Sequence, residues 1–135
     1  FYLYSWHLNL PDEPVEVVAD RSQIQRVILN LLSNARKHTD EGTRVTAGLA
    51  VDTARREAVV TVSDNGPGIA PDFLPKIFDR FTRADKARSG SVGTTGLGLA
   101  IVQAIVQAHG GSIQVQSQPG HTVFTVRLPL EAARA

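Results

Sequence analysis

Asn30 and Asn34 stand four residues apart, and Lys37 follows them. In a helix of ~3.6 residues per turn the three share one side. An amide oxygen is a hard ligand suited to Mg²⁺, which takes few protein ligands when phosphates and water complete its shell. A lysine adds a point charge able to reach a phosphate. At Asp64-Asn65-Gly66-Pro67-Gly68-Ile69 a carboxylate enters a glycine turn. An ionised carboxylate only accepts hydrogen bonds, so it pairs with an exocyclic amine such as that of adenine. It repels the oxygen that guanine carries at the same place. Gly66 and Gly68 let backbone come close to a flat ligand. Thr95-Gly96-Leu97-Gly98-Leu99-Ala100-Ile101 opens an apolar segment. Free N–H groups at a helix start attract anions, and glycines let a phosphate approach.

Each motif alone has a plainer reading. The asparagines fit a polar helix surface, Asp-Asn-Gly is a strong turn signal, and the last glycines fit a helix start packed closely on a sheet. No βαβ unit surrounds Gly93 to Ala100, and no P-loop lysine-serine pair follows it, which excludes both of those phosphate fingerprints. Ile77-Phe78-Asp79-Arg80-Phe81 lies between the glycine segments. Phe78 and Phe81 could anchor the loop that follows, and core packing is the simpler account of Phe78 and an alternative for both. In this order the motifs supply the parts of an ATP site: amides for a metal, a carboxylate for adenine, glycines for phosphate. Histidines occur at 7, 38, 109 and 121, none at metal-ligand spacing. His38 is placed to stack on a purine at the cleft edge, and His109 reads as a helix C-terminal residue favoured by the dipole.

The elements that must position these residues follow from periodicity. Trp6, Leu8 and Leu10 alternate with polar residues and predict a strand, and Val15 to Ala19 predicts a second. Asp20 caps a helix, with Gln23 completing a capping-box pattern. Ile24, Val27, Ile28, Leu31, Leu32 and Ala35 give that helix one buried face, ending near Thr39. Val45 to Val51 and Ala58 to Ser63 predict a strand pair. Pro71 to Phe78 predicts a short helix. Thr82 to Thr94 has no periodicity and reads as a mobile loop. Gly96 to Ala108 predicts a helix apolar all round, stopped by His109-Gly110-Gly111. Ser112 to Ser117 and Val123 to Leu128 predict a closing hairpin around Pro119-Gly120-His121. Strands in adjacent pairs with separate helices predict an α+β fold, a two-layer α/β sandwich.

A chain of 135 residues suffices for one domain with a real core. A net charge of +1 argues against a nucleic-acid partner, which calls for a basic face. Without cysteine there is neither a disulfide framework nor a thiolate metal site. No apolar run approaches the ~20 residues of a membrane span, so no direct membrane contact is expected. Methionine is absent even at position 1, which predicts a fragment of a longer protein. Phe1 to Trp6 is too short for a signal peptide.

In combination the motifs resemble the catalytic, ATP-binding domain of bacterial sensor histidine kinases. That superfamily is shared with type II topoisomerase (DNA gyrase B) and mismatch-repair ATPases. The resemblance runs from about Trp6 to Pro129 and covers the N box (Asn30 to Thr39), the first glycine box (Asp64 to Ile69), the F box (Ile77 to Phe81) and the second glycine box (Thr95 to Ile101). It implies the Bergerat fold, with a mixed, mostly antiparallel sheet packed against helices, as a single domain over 1–135. It implies ATP and Mg²⁺, with Asn34 and Asn30 at the metal and Lys37 on phosphate. His38 would lie beside the base and Asp64 on the adenine amine. Gly66, Gly68, Ile69, Phe81, Thr95, Gly96, Leu97, Gly98 and Leu99 would shape the pocket, and 82–94 would be a lid. The family often has tyrosine where His38 stands and glycine where Thr94 stands. The hydrolysing relatives carry glutamate at position 30; asparagine is no general base at neutral pH, which favours phosphoryl transfer over hydrolysis.

The implied partners are the parent kinase's dimerisation and phosphoacceptor domain and a response regulator. The implied location is the cytoplasmic portion of a membrane-anchored kinase. With no His-Glu-Leu-Arg-Thr-Pro type segment present, the chain is expected to be a monomer that does not autophosphorylate by itself. The other readings are a serine kinase of the anti-sigma-factor type, an interaction module without catalysis, and an ATPase, the last disfavoured by Asn30.

Overall fold

Helix α1 (Arg21–Lys37) forms where apolar residues recur at helical spacing behind an acidic cap. The computed structural model describes residues 5–37, 43–72, 74–79 and 98–130, with the side chains of 5–7, 36 and 37 excepted. Asp20 Oδ1 accepts the Gln23 N–H (3.1 Å) and the Ser22 hydroxyl (2.8 Å), satisfying one of the orphan donors of the first turn. Val27, Leu31 and Ala35 are buried on one face of α1, whereas Leu29 on the other is 65% exposed.

Among the described residues five strands form one sheet: β1 (Ser5–Asn9), β2 (Arg44–Asp52), β3 (Glu57–Asp64), β4 (Ser112–Gln118) and β5 (His121–Pro129), in the spatial order β1-β2-β3-β5-β4. β1 pairs parallel with β2, and every other pairing is antiparallel. Helix α2 (Gly98–Ala108) packs beside α1 on the same face. The core lies between the layers: Val27, Leu31 and Ala35 of α1 and Val102, Ile105 and Val106 of α2 meet Val45, Val62, Phe124, Val126 and Leu128 of the sheet. This is the expected two-layer α+β sandwich with a mixed, mostly antiparallel sheet.

Registers order the inner face of the sheet into transverse rows. Ala47, Val62, Phe124 and Val115 form one, and Leu49, Val60, Val126 and Ile113 the next. At the end where β3 runs into the glycine turn, the row reads Val45, Asp64, Thr122, Ser117. The inner face is therefore apolar along most of its length and polar at one end.

Three elements differ from expectation. Val15 to Ala19 is not a strand. Its Val17 packs against the core, but the segment pairs with neither edge of the sheet. Pro71 to Phe78 shortens to a single 3-10 turn, Leu74–Lys76, because Pro75 lacks the N–H that would propagate an α-helix. Helix α2 buries one face only, leaving Ala104, Gln107 and Ala108 exposed. It ends as expected at the glycines: Gly110 has φ 77°, and the Gly111 N–H bonds the Val106 carbonyl (2.9 Å) while the Gly110 N–H bonds Gln107 (3.0 Å), a Schellman closure.

Candidate nucleotide-binding site

Asn30 and Asn34 lie on α1 at the border of its buried face, both half-buried beside Leu31 and Ala35. Asn30 Oδ1 lies 3.7 Å from where a Cβ would stand on Gly98, the first residue of α2. The fold thus brings the amide helix and the second glycine segment together across 68 residues of sequence, and a larger side chain at 98 would crowd the amide. Leu99, one residue on, packs against the core. The Lys37 backbone closes α1, and its side chain lies outside the described residues, as do His38, Phe81, Thr95, Gly96, Leu97 and the segment 82–94 expected to be a lid.

Asp64 is half-buried at the end of β3, and its Oδ1 accepts the Gly66 N–H at 2.9 Å. Asn65 reaches the other way. Its Oδ1 accepts the Arg44 N–H (2.7 Å), and its own N–H bonds the Arg44 carbonyl (3.3 Å), fixing the loop to the start of β2. The β4–β5 hairpin holds the loop from below. The Gly120 N–H bonds the Gly66 carbonyl at 2.9 Å. Gly68 has φ 91°, and a Cβ there would come within 2.8 Å of the Gln118 carbonyl oxygen. The space that Gly68 provides is thus used by the hairpin. The Ile69 N–H donates to Ser117 Oγ (2.8 Å), which lies 2.6 Å from Thr122 Oγ1. Phe78 meets Phe124 edge-on at 6.5 Å, as its reading as a core residue requires.

Sequence reading missed Asn65, Ser117 and Thr122. Thr122 left a signal: it continues the buried series Phe124, Val126, Leu128 at a period of two, so a polar group had to be buried there. His109 closes α2 as expected, but it does more. Its Nδ1 lies 2.8 Å from the Ile105 carbonyl oxygen, and its Nε2 lies 3.1 Å from the Asp20 N–H. It takes the place expected for Gln23 in the second half of the capping box.

The perturbed titrations lie elsewhere. The Ser22 hydroxyl and then the Gln23 N–H hold the Asp20 carboxyl below its ordinary range. The Arg55 N–H and then Arg127 do so for Asp52, while Asp52 and Glu57 raise Arg127. Among the described residues no cluster of histidine, cysteine or carboxylate could hold a metal. A metal here would rely on amide oxygens such as those of α1. An apolar cleft of about 250 Å³ between Val17, Val18, His109 and Leu130 sits at the opposite end of β5 from Thr122.

Residues 19–132 match the family described as Histidine kinase-, DNA gyrase B-, and HSP90-like ATPase, and the chain belongs to it. Within that family it is a catalytic domain of the sensor histidine kinase type. It is 50% identical to the probable sensor histidine kinase TcrY of Mycobacterium tuberculosis over 95% of this chain and 26% of that protein. It is 48% identical to the sensor histidine kinase TrcS of the same organism over 94% of this chain and 25% of that protein. The chain therefore spans about a quarter of the curated relatives it matches. The mycobacterial sensor histidine kinase MprB superposes with a TM-score of 0.80 at 34% identity, over 96% of this chain and 86% of that one. Full-length ShkA in complex with AMPPNP superposes with a TM-score of 0.80 at 28% identity, over 98% of this chain and 27% of that one. No helix among the described residues is long and apolar enough to cross a membrane.

Proposed function

We propose that the chain binds ATP in the cleft between α1, the start of α2 and the Asp64 loop, and serves the transfer of the γ-phosphoryl group to a histidine of its parent kinase. The observation that carries this is the approach of Asn30 Oδ1 to Gly98, which sets a hard amide ligand against the glycine that begins α2. The residues fit the ligand. Asp64 is tied down by the Gly66 N–H on one oxygen, which orients the carboxylate as an acceptor for the adenine amine. Asn34 and Asn30 suit a magnesium ion, which would neutralise phosphate charge when bound. Lys37 and the 82–94 lid complete the phosphate end.

In this reading a P–O bond to the leaving ADP breaks and a P–N bond to the imidazole forms. The chain's part is positioning and charge stabilisation, as in other phosphoryl transfers. Asn30 holds without deprotonating water, which favours transfer over hydrolysis. The acceptor histidine belongs to the parent's dimerisation domain, the phosphate then passes to a response-regulator aspartate, and the work takes place in the cytoplasm. The analogue complex of ShkA and the sensor-kinase relatives support this reading.

Titration with a fluorescent ATP analogue and Mg²⁺ tests it. The chain should saturate, and Asp64→Asn should lose about 1–3 kcal/mol, because the amide presents a donor to a donor. Addition of the parent's dimerisation segment should yield acid-labile phosphohistidine; acid-stable phosphoserine on another protein would instead favour a serine kinase.

A further inference from the structure

We infer that Ser117, on the edge strand β4, is a positioning residue for adenine recognition, acting through the Asp64–Ile69 loop; this rests on the nucleotide reading above. Three observations carry it. The Ile69 amide can only donate, so its 2.8 Å bond makes Ser117 Oγ an acceptor and leaves the serine proton for another partner. Thr122 Oγ1, buried to 4% exposure, lies 2.6 Å away, a hydrogen bond that either hydroxyl can donate. The register then places Thr122 directly opposite Asp64 and Ser117 directly opposite Thr122. A hydrogen-bonded link thus runs from the Ile69 amide through Ser117 to Thr122, the residue opposite Asp64 in the sheet. Neutral hydroxyls linked in series polarise one another in a low-dielectric setting.

The hydroxyl pair lies between the two ends of the loop. Asp64 begins it on β3, and Ile69 ends it on the serine. Ser117 is 48 residues from Ile69 in sequence and belongs to none of the nucleotide motifs. The Gly120–Gly66 bond and the seating of Gly68 on Gln118 hold the middle of the loop, but they are backbone contacts that any side chain at 117 leaves in place. Ser117 is therefore the side chain through which β4 sets where the Asp64 loop ends.

Isothermal titration of Mg-ATP, Mg-GTP and inorganic triphosphate into the wild type, Ser117→Ala and Ser117→Thr tests the inference, with Tm read on each. Ser117→Ala should weaken ATP by about 3- to 10-fold, the equivalent of one lost hydrogen bond. It should leave triphosphate unchanged and narrow the ATP/GTP ratio. Ser117→Thr, which keeps the hydroxyl, should restore both. An Ala variant with a lower Tm but wild-type ATP affinity and ATP/GTP ratio would overturn the inference, as would an equal loss for ATP and triphosphate. Absence of ATP saturation in the wild type would instead sink the nucleotide reading, and the inference with it.

Discussion

Gly68 and Gly120 have nearly the same backbone angle, φ 91° and 88°, yet they face different surroundings. A Cβ on Gly68 would strike the Gln118 carbonyl oxygen and carbon and the Pro119 nitrogen, all backbone atoms that cannot rotate away. A Cβ on Gly120 would meet nothing within 4 Å. Alanine at either site meets the left-handed strain of about 1–3 kcal/mol. Only Gly68→Ala must also part the Asp64 loop from the hairpin. Urea unfolding of the two variants should therefore show the larger loss for Gly68→Ala, and only that variant should bind ATP more weakly. Equal losses would mean that the hairpin yields at no cost and does not brace the loop. Part of this is legible in sequence, since Asp-Asn-Gly announces a turn. That the turn sits on residues 118–120 is not, because no local pattern encodes contacts about 50 residues apart.

Among the elements, those with a strong period were legible. Helix α1 and strands β2, β3 and β5 follow from alternating or helical apolar spacing, which is what burial on one face requires. Val15 to Ala19 has the same alternation without a strand, since a side chain can be half-buried without a backbone ladder beside it. The joining of α1 to α2 was hidden as well. Asp20 and His109 are 89 residues apart, and nothing near either names the other. The start of α1 also carries a pH signature. Asp20 has a folded pKa held below its unfolded value, so its contribution is present above the unfolded pKa and is lost as pH falls through the folded one. Asp52 works in the same direction at the β2–β3 turn. Stability should thus decline below about pH 4. In Asp20→Asn, which keeps a capping oxygen but no charge, that decline should be shallower. Urea midpoints at pH 7 and pH 3 measure it, and an identical decline in both proteins would remove Asp20 from the account.

At the scale of the whole molecule, one sheet face is apolar along most of its length and polar at one end, where the proposed site lies. The rows through Val62 and Val60 bury the apolar core under α1 and α2, and the last row turns polar at Asp64, Thr122 and Ser117. Stability and recognition should therefore be separable by linkage. Leu31 is fully buried at the centre of the helix layer, so Leu31→Ala should cost about 2–5 kcal/mol through lost transfer energy and a residual cavity. Because Leu31 neighbours Asn30 in sequence but points into the core, the variant should retain its nucleotide affinity if the sheet end is intact. ATP at a hundred times its Kd adds about 2.7 kcal/mol to any folded state that binds it. At about 2–4 °C per kcal/mol, the wild type and Leu31→Ala should each gain some 5–10 °C in Tm. Asp64→Asn should melt near the wild type without ligand and gain less with it. Thermal scans of the three proteins, with and without Mg-ATP, give the result. A Leu31→Ala protein that is both destabilised and unresponsive to ATP would show that core and site are one cooperative unit, against the division that the sheet rows describe.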